Sequence, residues 1–270
     1  LFAFPTSSLL VQYGQNLKLG AVVNRVGQKD PSLSSLPLNC SELDYAKRML
    51  RLKQLLYHPA ATPTAILKQV NLELPPQQMG LVIGSSGSGK STLLEIVAGL
   101  ATPTAGVLYW RQQELKPHDL QQLAGLVFQF PERHFCGGTI LEELRLGHPE
   151  LGSEQVYQAL QEVGLEDLSL FTSPQSLSGG QQRRLALAVQ LIRQPHLLLL
   201  DEPTAGLDWS MRKQLATLLA KLKQHWSLLI VTHDPAELVS IADRCWTLNH
   251  GELAPVDPKI LSLQYSSTSL

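Results

Sequence analysis

The stretch Gly84-Ser85-Ser86-Gly87-Ser88-Gly89-Lys90-Ser91-Thr92 constrains this chain more than any other. The pattern GxxxxGK[ST] cradles phosphate only where a strand feeds it and a helix leaves it, and both neighbours are present. Leu81–Ile83 reads as a buried strand and Lys90–Leu100 as the helix that follows. The glycines let the backbone curl until successive N–H groups point at phosphate oxygens, and the helix N-terminus adds its dipole. Lys90 would then reach the β- and γ-phosphates, while the Ser91 hydroxyl would ligate Mg²⁺. Nucleotide contacts are expected from Gly84, Ser85, Ser86, Gly87, Ser88, Gly89, Lys90, Ser91 and Thr92.

A strand–loop–helix unit needs a sheet to belong to. From about Leu52 onward, short apolar runs alternate with helix-length amphipathic segments. Gly125–Gln129, Leu197–Leu200 and Leu228–Thr232 read as further strands, the last followed by a helix with Asp234 as N-cap and Pro235 at its first position. Such alternation implies a mostly parallel α/β core. Residues 57–74 and 106–111 break the pattern with short extended runs, which suggests a small antiparallel layer. The stretch 131–193 looks mainly helical, with Ser153 as a cap and Val156, Leu160 and Val163 as an apolar face.

The strand Leu197–Leu200 ends in Asp201 and Glu202. An aspartate at the mouth of such a strand can hold Mg²⁺ through water, beside a loop like 84–92. Glu202, one residue on, could polarise the attacking water as a general base. Acids at a strand end are often no more than a solvated turn, and it is the phosphate loop that favours the functional reading.

Leu177-Ser178-Gly179-Gly180-Gln181, just before the acidic strand, resembles the LSGGQ signature of ATP-binding cassette (ABC) ATPases. Other marks of that family follow its order. Gln129 looks like the Q-loop glutamine, which with Ser91 and Asp201 would serve Mg²⁺. Ala205-Gly206-Leu207-Asp208 resembles the D-loop, and His233 looks like the switch histidine. Tyr57 stands where the family has an aromatic on the adenine, although a half-buried sheet tyrosine explains it as cheaply. The resemblance covers roughly residues 52 to 255. It implies a P-loop NTPase cassette with a RecA-like parallel-sheet core, a small antiparallel β layer and a helical subdomain at about 131–193.

It also implies a mechanism. ATP and Mg²⁺ would be the ligands, and Lys90, Gln129, Glu202 and His233 the catalytic set. The Ser178–Gly180 turn would contact the γ-phosphate bound by a second cassette, in a homodimer or a heterodimer.

Phe128-Gln129-Phe130-Pro131-Glu132-Arg133-His134-Phe135, with Thr139-Ile140-Leu141-Glu142-Glu143, resembles the Q-loop region of energy-coupling-factor ATPases. Those drive uptake of metal ions and vitamins, and there this region touches a separate transmembrane protein. Here His134 and Cys136-Gly137-Gly138 depart from the family pattern, as Gln77-Gln78 does before the phosphate-loop strand.

The bulk properties agree with a cassette that spans no membrane itself. No stretch approaches the ~18 apolar residues that a spanning helix needs. A net charge of −1 calls for no nucleic acid. Cys40, Cys136 and Cys245 form no CxxC pair.

Residues 1–50 form a separate expectation. The first forty hold Lys18, Arg25 and Lys29 against the single acid Asp30, with scattered serines, the composition of an organelle transit segment. A cassette behind such a segment resembles the non-intrinsic ABC proteins of plant chloroplasts. The cassette would then occupy 51–256, with cleavage between 30 and 50 and a tail at 257–270.

Two other functions compete with transport. One is a cassette clamp for repair, translation or cluster assembly, but neither a coiled-coil insertion nor a tandem cassette is visible. The other is a module that binds ATP without turnover, against which Lys90, Asp201, Glu202 and His233 stand together.

Overall fold

The structure, a computed structural model, describes residues 49–60 and 62–266. The expected transit segment lies almost wholly outside them.

Two sheets share the chain. The first joins β1 (Leu50–Tyr57), β2 (Leu67–Leu74), β4 (Ala105–Trp110) and β5 (Gln113–Glu114) in the antiparallel order β2-β1-β4-β5. The second contains β3 (Met79–Ile83), β6 (Ala124–Val127), β7 (Leu197–Asp201), β8 (Ser227–Thr232), β9 (Arg244–Asn249) and β10 (Glu252–Val256). Its order is β10-β9-β3-β8-β7-β6, and every pair except β10 with β9 is parallel.

The unbroken apolar runs follow from burial on both faces. Side chains alternate across a strand, so one strand feeds two cores. Leu198, Leu200, Leu228 and Ile230 enter one core, with Leu81. Leu197, Leu199, Leu229 and Val231 enter the other, with Val82. Full burial of each contributes about 1.5–3 kcal/mol.

The first core is covered by helices that include α4 (Ser153–Glu162), α5 (Gly179–Leu191) and α6 (Trp209–Leu222). Val156, Leu160 and Val163 lie within it, as their spacing predicts. The second is closed by the antiparallel sheet, α1 (Lys90–Val97) and α2 (Pro117–Leu123). Short α3 (Ile140–Leu144) and two 3₁₀ turns complete the helical stretch.

Several local expectations are corrected. The first helix stops at Val97 rather than Leu100, because Gly99 has φ +72° and a Cβ there would lie 2.2 Å from Pro117 O. β6 ends at Val127, which leaves Phe128 and Gln129 in the following loop. Ser153 is the first helical residue, and Gly152 caps it by donating its N–H to Gln155 Oε1 at 2.9 Å.

No α-helix starts at Asp234, and only a turn and the 3₁₀ segment Val239–Ile241 lie between it and β9. Arg212 takes the Asp234 carboxylate, and Asp243 N already donates to Met79 O at 2.9 Å, so the chain must turn back to β9 too soon for a helix. The tail contains α7 (Pro258–Ser266), with Leu261 buried in the first core. Among the described residues, no helix is long and apolar enough to cross a membrane.

Gly251 ties the two sheets. Its carbonyl accepts from Lys68 N at 2.8 Å, its φ is +83°, and a Cβ would lie 2.4 Å from Ile66 O. Gly251→Ala is therefore expected to cost at least about 2 kcal/mol, a fall of about 4–8 °C in Tm by thermal denaturation. An unchanged Tm would show that the two sheets separate freely at this point.

Candidate active site

Register alone gathers the expected residues. Ile83 pairs with Thr232, Asp201 with Val231 and Val127 with Leu200, so four parallel strands end side by side. Gly84, His233, Glu202 and Gln129 follow those ends closely in sequence. The crevice beyond the carboxyl ends of parallel strands is where such sheets bind ligands. Gly84 N donates to Thr232 O at 3.2 Å and Glu202 N to Val231 O at 2.9 Å, which carries the alignment one residue past the strands.

The 84–92 loop is built on glycine. Gly89, the N-cap of α1, has φ 104°, and a Cβ there would lie 2.9 Å from Leu67 Cδ2. A Cβ on Gly84 would lie 2.4 Å from Leu248 O. The backbone comes close to its surroundings at both points, and only glycine fits.

Lys90 is 7% exposed and donates to Gly84 O at 2.8 Å and Ser85 O at 3.0 Å. Its Nζ lies 3.4 Å from Glu202 Oε1. Ser88 Oγ is buried with no hydrogen-bond partner among the described residues.

Glu202 is 6% exposed and its φ is +46°, a left-handed conformation that costs about 1–3 kcal/mol and that its neighbours must enforce. They do so through Oε2, which accepts from Thr232 Oγ1 at 2.8 Å and from His233 N at 3.1 Å. His233 Nδ1 also lies 2.9 Å from Oε2. An ionised carboxylate only accepts, so Nδ1 carries the hydrogen and Nε2 is left for another partner. The half-exposed imidazole ring thus joins the buried acid to the solvent-facing mouth.

Asp201 suits a hard cation. Its carboxyl is raised above the usual carboxylate range chiefly by burial, opposed by the Ser91 hydrogen bond and by Lys90, with Glu202 adding to the rise. Oδ1 is buried with no hydrogen-bond partner among the described residues. An orphaned anionic oxygen beside a serine hydroxyl is an oxygen donor set of the kind Mg²⁺ prefers. Glu95, half-buried, is raised by burial and then by the Asp201 charge.

Folding holds the Asp201 proton more tightly, so stability is lost as pH climbs through the folded-state pKa. Asp201→Asn should therefore raise Tm of the nucleotide-free, metal-free protein at pH 8, and by less at pH 5, as thermal denaturation would read. A fall in Tm at pH 8 would show that the ionised carboxylate is satisfied within the fold.

The remaining residues stand on other elements. Gln129 is half-buried in the loop after β6, and its carbonyl accepts from Arg183. Tyr57 ends β1 and packs partly on the second core. Asp208 caps α6, its carboxylate accepting from Met211 N at 2.9 Å. Leu177 is buried, whereas Ser178 and Gly179 are exposed at the start of α5. Ser178 Oγ accepts from Gln181 N at 3.3 Å, and Gln181 Oε1 accepts from Ser178 N at 2.9 Å. Among the described residues, no hydrogen bond or ion pair joins this turn to the 84–92 loop.

Sequence reasoning passed over three contributors. Thr232 reads in the sequence only as the end of a strand, yet its hydroxyl holds Glu202. Glu143 Oε2 accepts from Cys136 N at 2.8 Å and Gly137 N at 2.7 Å, which shapes the loop where the chain departs from the energy-coupling pattern. Arg212 reaches Leu207 O and Asp234, on loops that no local pattern links.

Comparison with known proteins decides the family. The family described as ABC transporter matches residues 67–205. The Arabidopsis thaliana protein "ABC transporter I family member 11, chloroplastic" is 41% identical over 239 residues, 83% of each chain. The chain belongs to the ABC transporter ATPase family.

A further relative, from Caldanaerobacter subterraneus, is an energy-coupling factor transporter ATP-binding protein, EcfA2, 32% identical over 70% of this chain and 71% of its own. Among solved structures, cbiO1 from Clostridium perfringens, part of the ABC transporter complex cbiONQ, superposes with a TM-score of 0.74 at 25% identity. That superposition covers 82% of this chain and 93% of cbiO1. Membership of the ABC family makes the chain an ATPase with a P-loop fold, in line with the sheet order above.

Proposed function

We propose that this ABC ATPase hydrolyses MgATP as one cassette of a pair, and that a separate transmembrane subunit uses the work for transport. The observation that carries the reading is Glu202, buried between the phosphate-loop lysine and the switch-position histidine. Residues 84–92 bind the phosphates, Lys90 faces the β- and γ-groups, and Tyr57 lies against the adenine. Ser91, Asp201 and Gln129 would hold Mg²⁺, which would supply positive charge to neutralise the phosphates.

Glu202 takes the proton of a water whose oxygen attacks the γ-phosphorus, the bond to the bridging oxygen breaks, and ADP leaves. His233 orients the γ-phosphate, and its Nδ1 contact ties that residue to the base. The Ser178–Gly180 turn, exposed at Ser178 and Gly179, offers a helix N-terminus to the γ-phosphate of the other cassette. Leu207, the residue before Asp208, lies beside that turn, since a Cβ on Gly179 would lie 3.8 Å from its Cδ2.

The membrane contact is assigned to Pro131–Phe135, and the cargo is a metal ion or vitamin-type molecule, as the likeness to energy-coupling-factor ATPases implies. The acid-poor N-terminal stretch and the chloroplastic relative both support a plastid location. The test is capture of the Glu202→Gln protein with MgATP from gently solubilised chloroplast membranes, beside turnover of the wild type at increasing protein concentration. Turnover per chain that rises with concentration, and recovery of one integral membrane protein, are expected. Recovery of soluble proteins alone would replace transport by a clamp function, and concentration-independent turnover would remove the paired cassette.

A further inference from the structure

Two arginines outside the phosphate loop hold the segments that surround Glu202. Arg183, in the second turn of α5, is 6% exposed. Its Nη1 donates to Gln129 O and its Nη2 to Ala205 O at 2.7 Å. The guanidinium thus bridges the loop after β6 and the turn after Glu202. Burial lowers its pKa, and only the Glu132 charge opposes that. A buried cation whose hydrogen bonds go to two loop carbonyls is costly to keep, and its fork geometry is what spans both.

Arg212, on α6, repeats the arrangement one loop further on. Its Nε donates to Leu207 O at 3.0 Å and its Nη1 to Asp234 Oδ2 at 2.5 Å, with Glu237 Oε2 3.9 Å away. The path from Asp234 to Glu202 is short. Asp234 N donates to Thr232 Oγ1 at 3.0 Å, and that hydroxyl donates to Glu202 Oε2 at 2.8 Å. Ala205 and Leu207 lie two residues apart in the same turn, so the two arginines share it.

We infer that Arg183 and Arg212 are positioning residues that act as one tie, joining the Gln129 loop, the 205–208 turn and the His233 loop so that displacement of any one is felt at Glu202. Neither guanidinium touches the phosphate loop in any hydrogen bond or ion pair among the described residues. The tie should therefore govern turnover more than nucleotide binding. It rests on Glu202 as the base, and it adds a route by which movement at Gln129 reaches that base.

The experiment uses the full chain, with steady-state ATPase kinetics and titration of a fluorescent ATP analogue with Mg²⁺. Arg183→Met and Arg212→Met are each expected to lower kcat about 10- to 100-fold while KM and analogue affinity stay within about 3-fold. Lysine at either position should not rescue kcat, because one ammonium cannot bridge two planar acceptors.

The double variant should lose no more than about 3-fold beyond the more severe single, because the two act through one turn. Asp234→Asn changes a partly exposed side chain and keeps the test open if an arginine variant fails to fold. Combined with Arg212→Met, it should add less than about 3-fold. Losses that multiply, full rescue by lysine, or kcat that falls only with the folded fraction would each overturn the tie. A wild type with turnover that Glu202→Gln does not reduce would instead remove the base assignment.

Discussion

Glu202→Gln is expected to lower ATP turnover by about 10²- to 10⁴-fold and to leave MgATP bound. The amide keeps the shape and can still accept from Thr232 and His233, which hold Oε2 at 2.8 and 3.1 Å. What it cannot do is take a proton. The contact of Oε1 with Lys90 Nζ at 3.4 Å becomes a donor facing a donor, a loss that binding of a phosphate oxygen at Lys90 would relieve. Nucleotide affinity should thus be equal to or greater than that of the wild type, with Tm within about 2–4 °C. Single-turnover and equilibrium binding measurements separate the two quantities. Turnover equal to the wild type would sink the assignment of the base.

Lys90→Met should do the reverse and strike binding. The thioether fills a similar volume but removes the cation that bonds Gly84 O and Ser85 O at 2.8 and 3.0 Å. Two carbonyls and the buried Glu202 then lose their donor, so the empty loop is also destabilised. The charge-assisted bonds to the β- and γ-phosphates are lost as well. A weakening of MgATP affinity by about 100-fold or more is expected, equivalent to about 2.7 kcal/mol. Isothermal titration measures it directly, with ADP as the control. Retained affinity would mean that the phosphates lie away from Lys90. The pair of variants thereby separates holding the nucleotide from splitting it.

Much of this site was legible in the sequence because its chemistry is local. The cradle of residues 84–92 is one contiguous loop, and its strand and helix are its immediate neighbours. Asp201, Glu202 and His233 could be recognised because each ends an apolar run that can only be a buried strand. Leu197 to Leu200 reads as a buried strand from its apolar run alone, and the structure divides its side chains between two cores. The helix expected after Asp234 failed for the opposite reason. A cap signal states what a carboxylate does if nothing else claims it, and here Arg212 claims it from 22 residues away.

The same holds for the bonds that fix the catalytic geometry. The left-handed backbone of Glu202, the Thr232 hydroxyl on its carboxylate and the reach of Arg183 to Gln129 O span 30 to 54 residues or leave no trace in composition. The sequence by itself determined the family, the parallel α/β core and the identity of the phosphate loop, because short-range periodicity and contiguous motifs encode local hydrogen bonds and burial. Only the tertiary structure decided which loops meet at Glu202 and which arginines hold them. Those partners are set by the register of β3, β8, β7 and β6, and register emerges only when the strands pack.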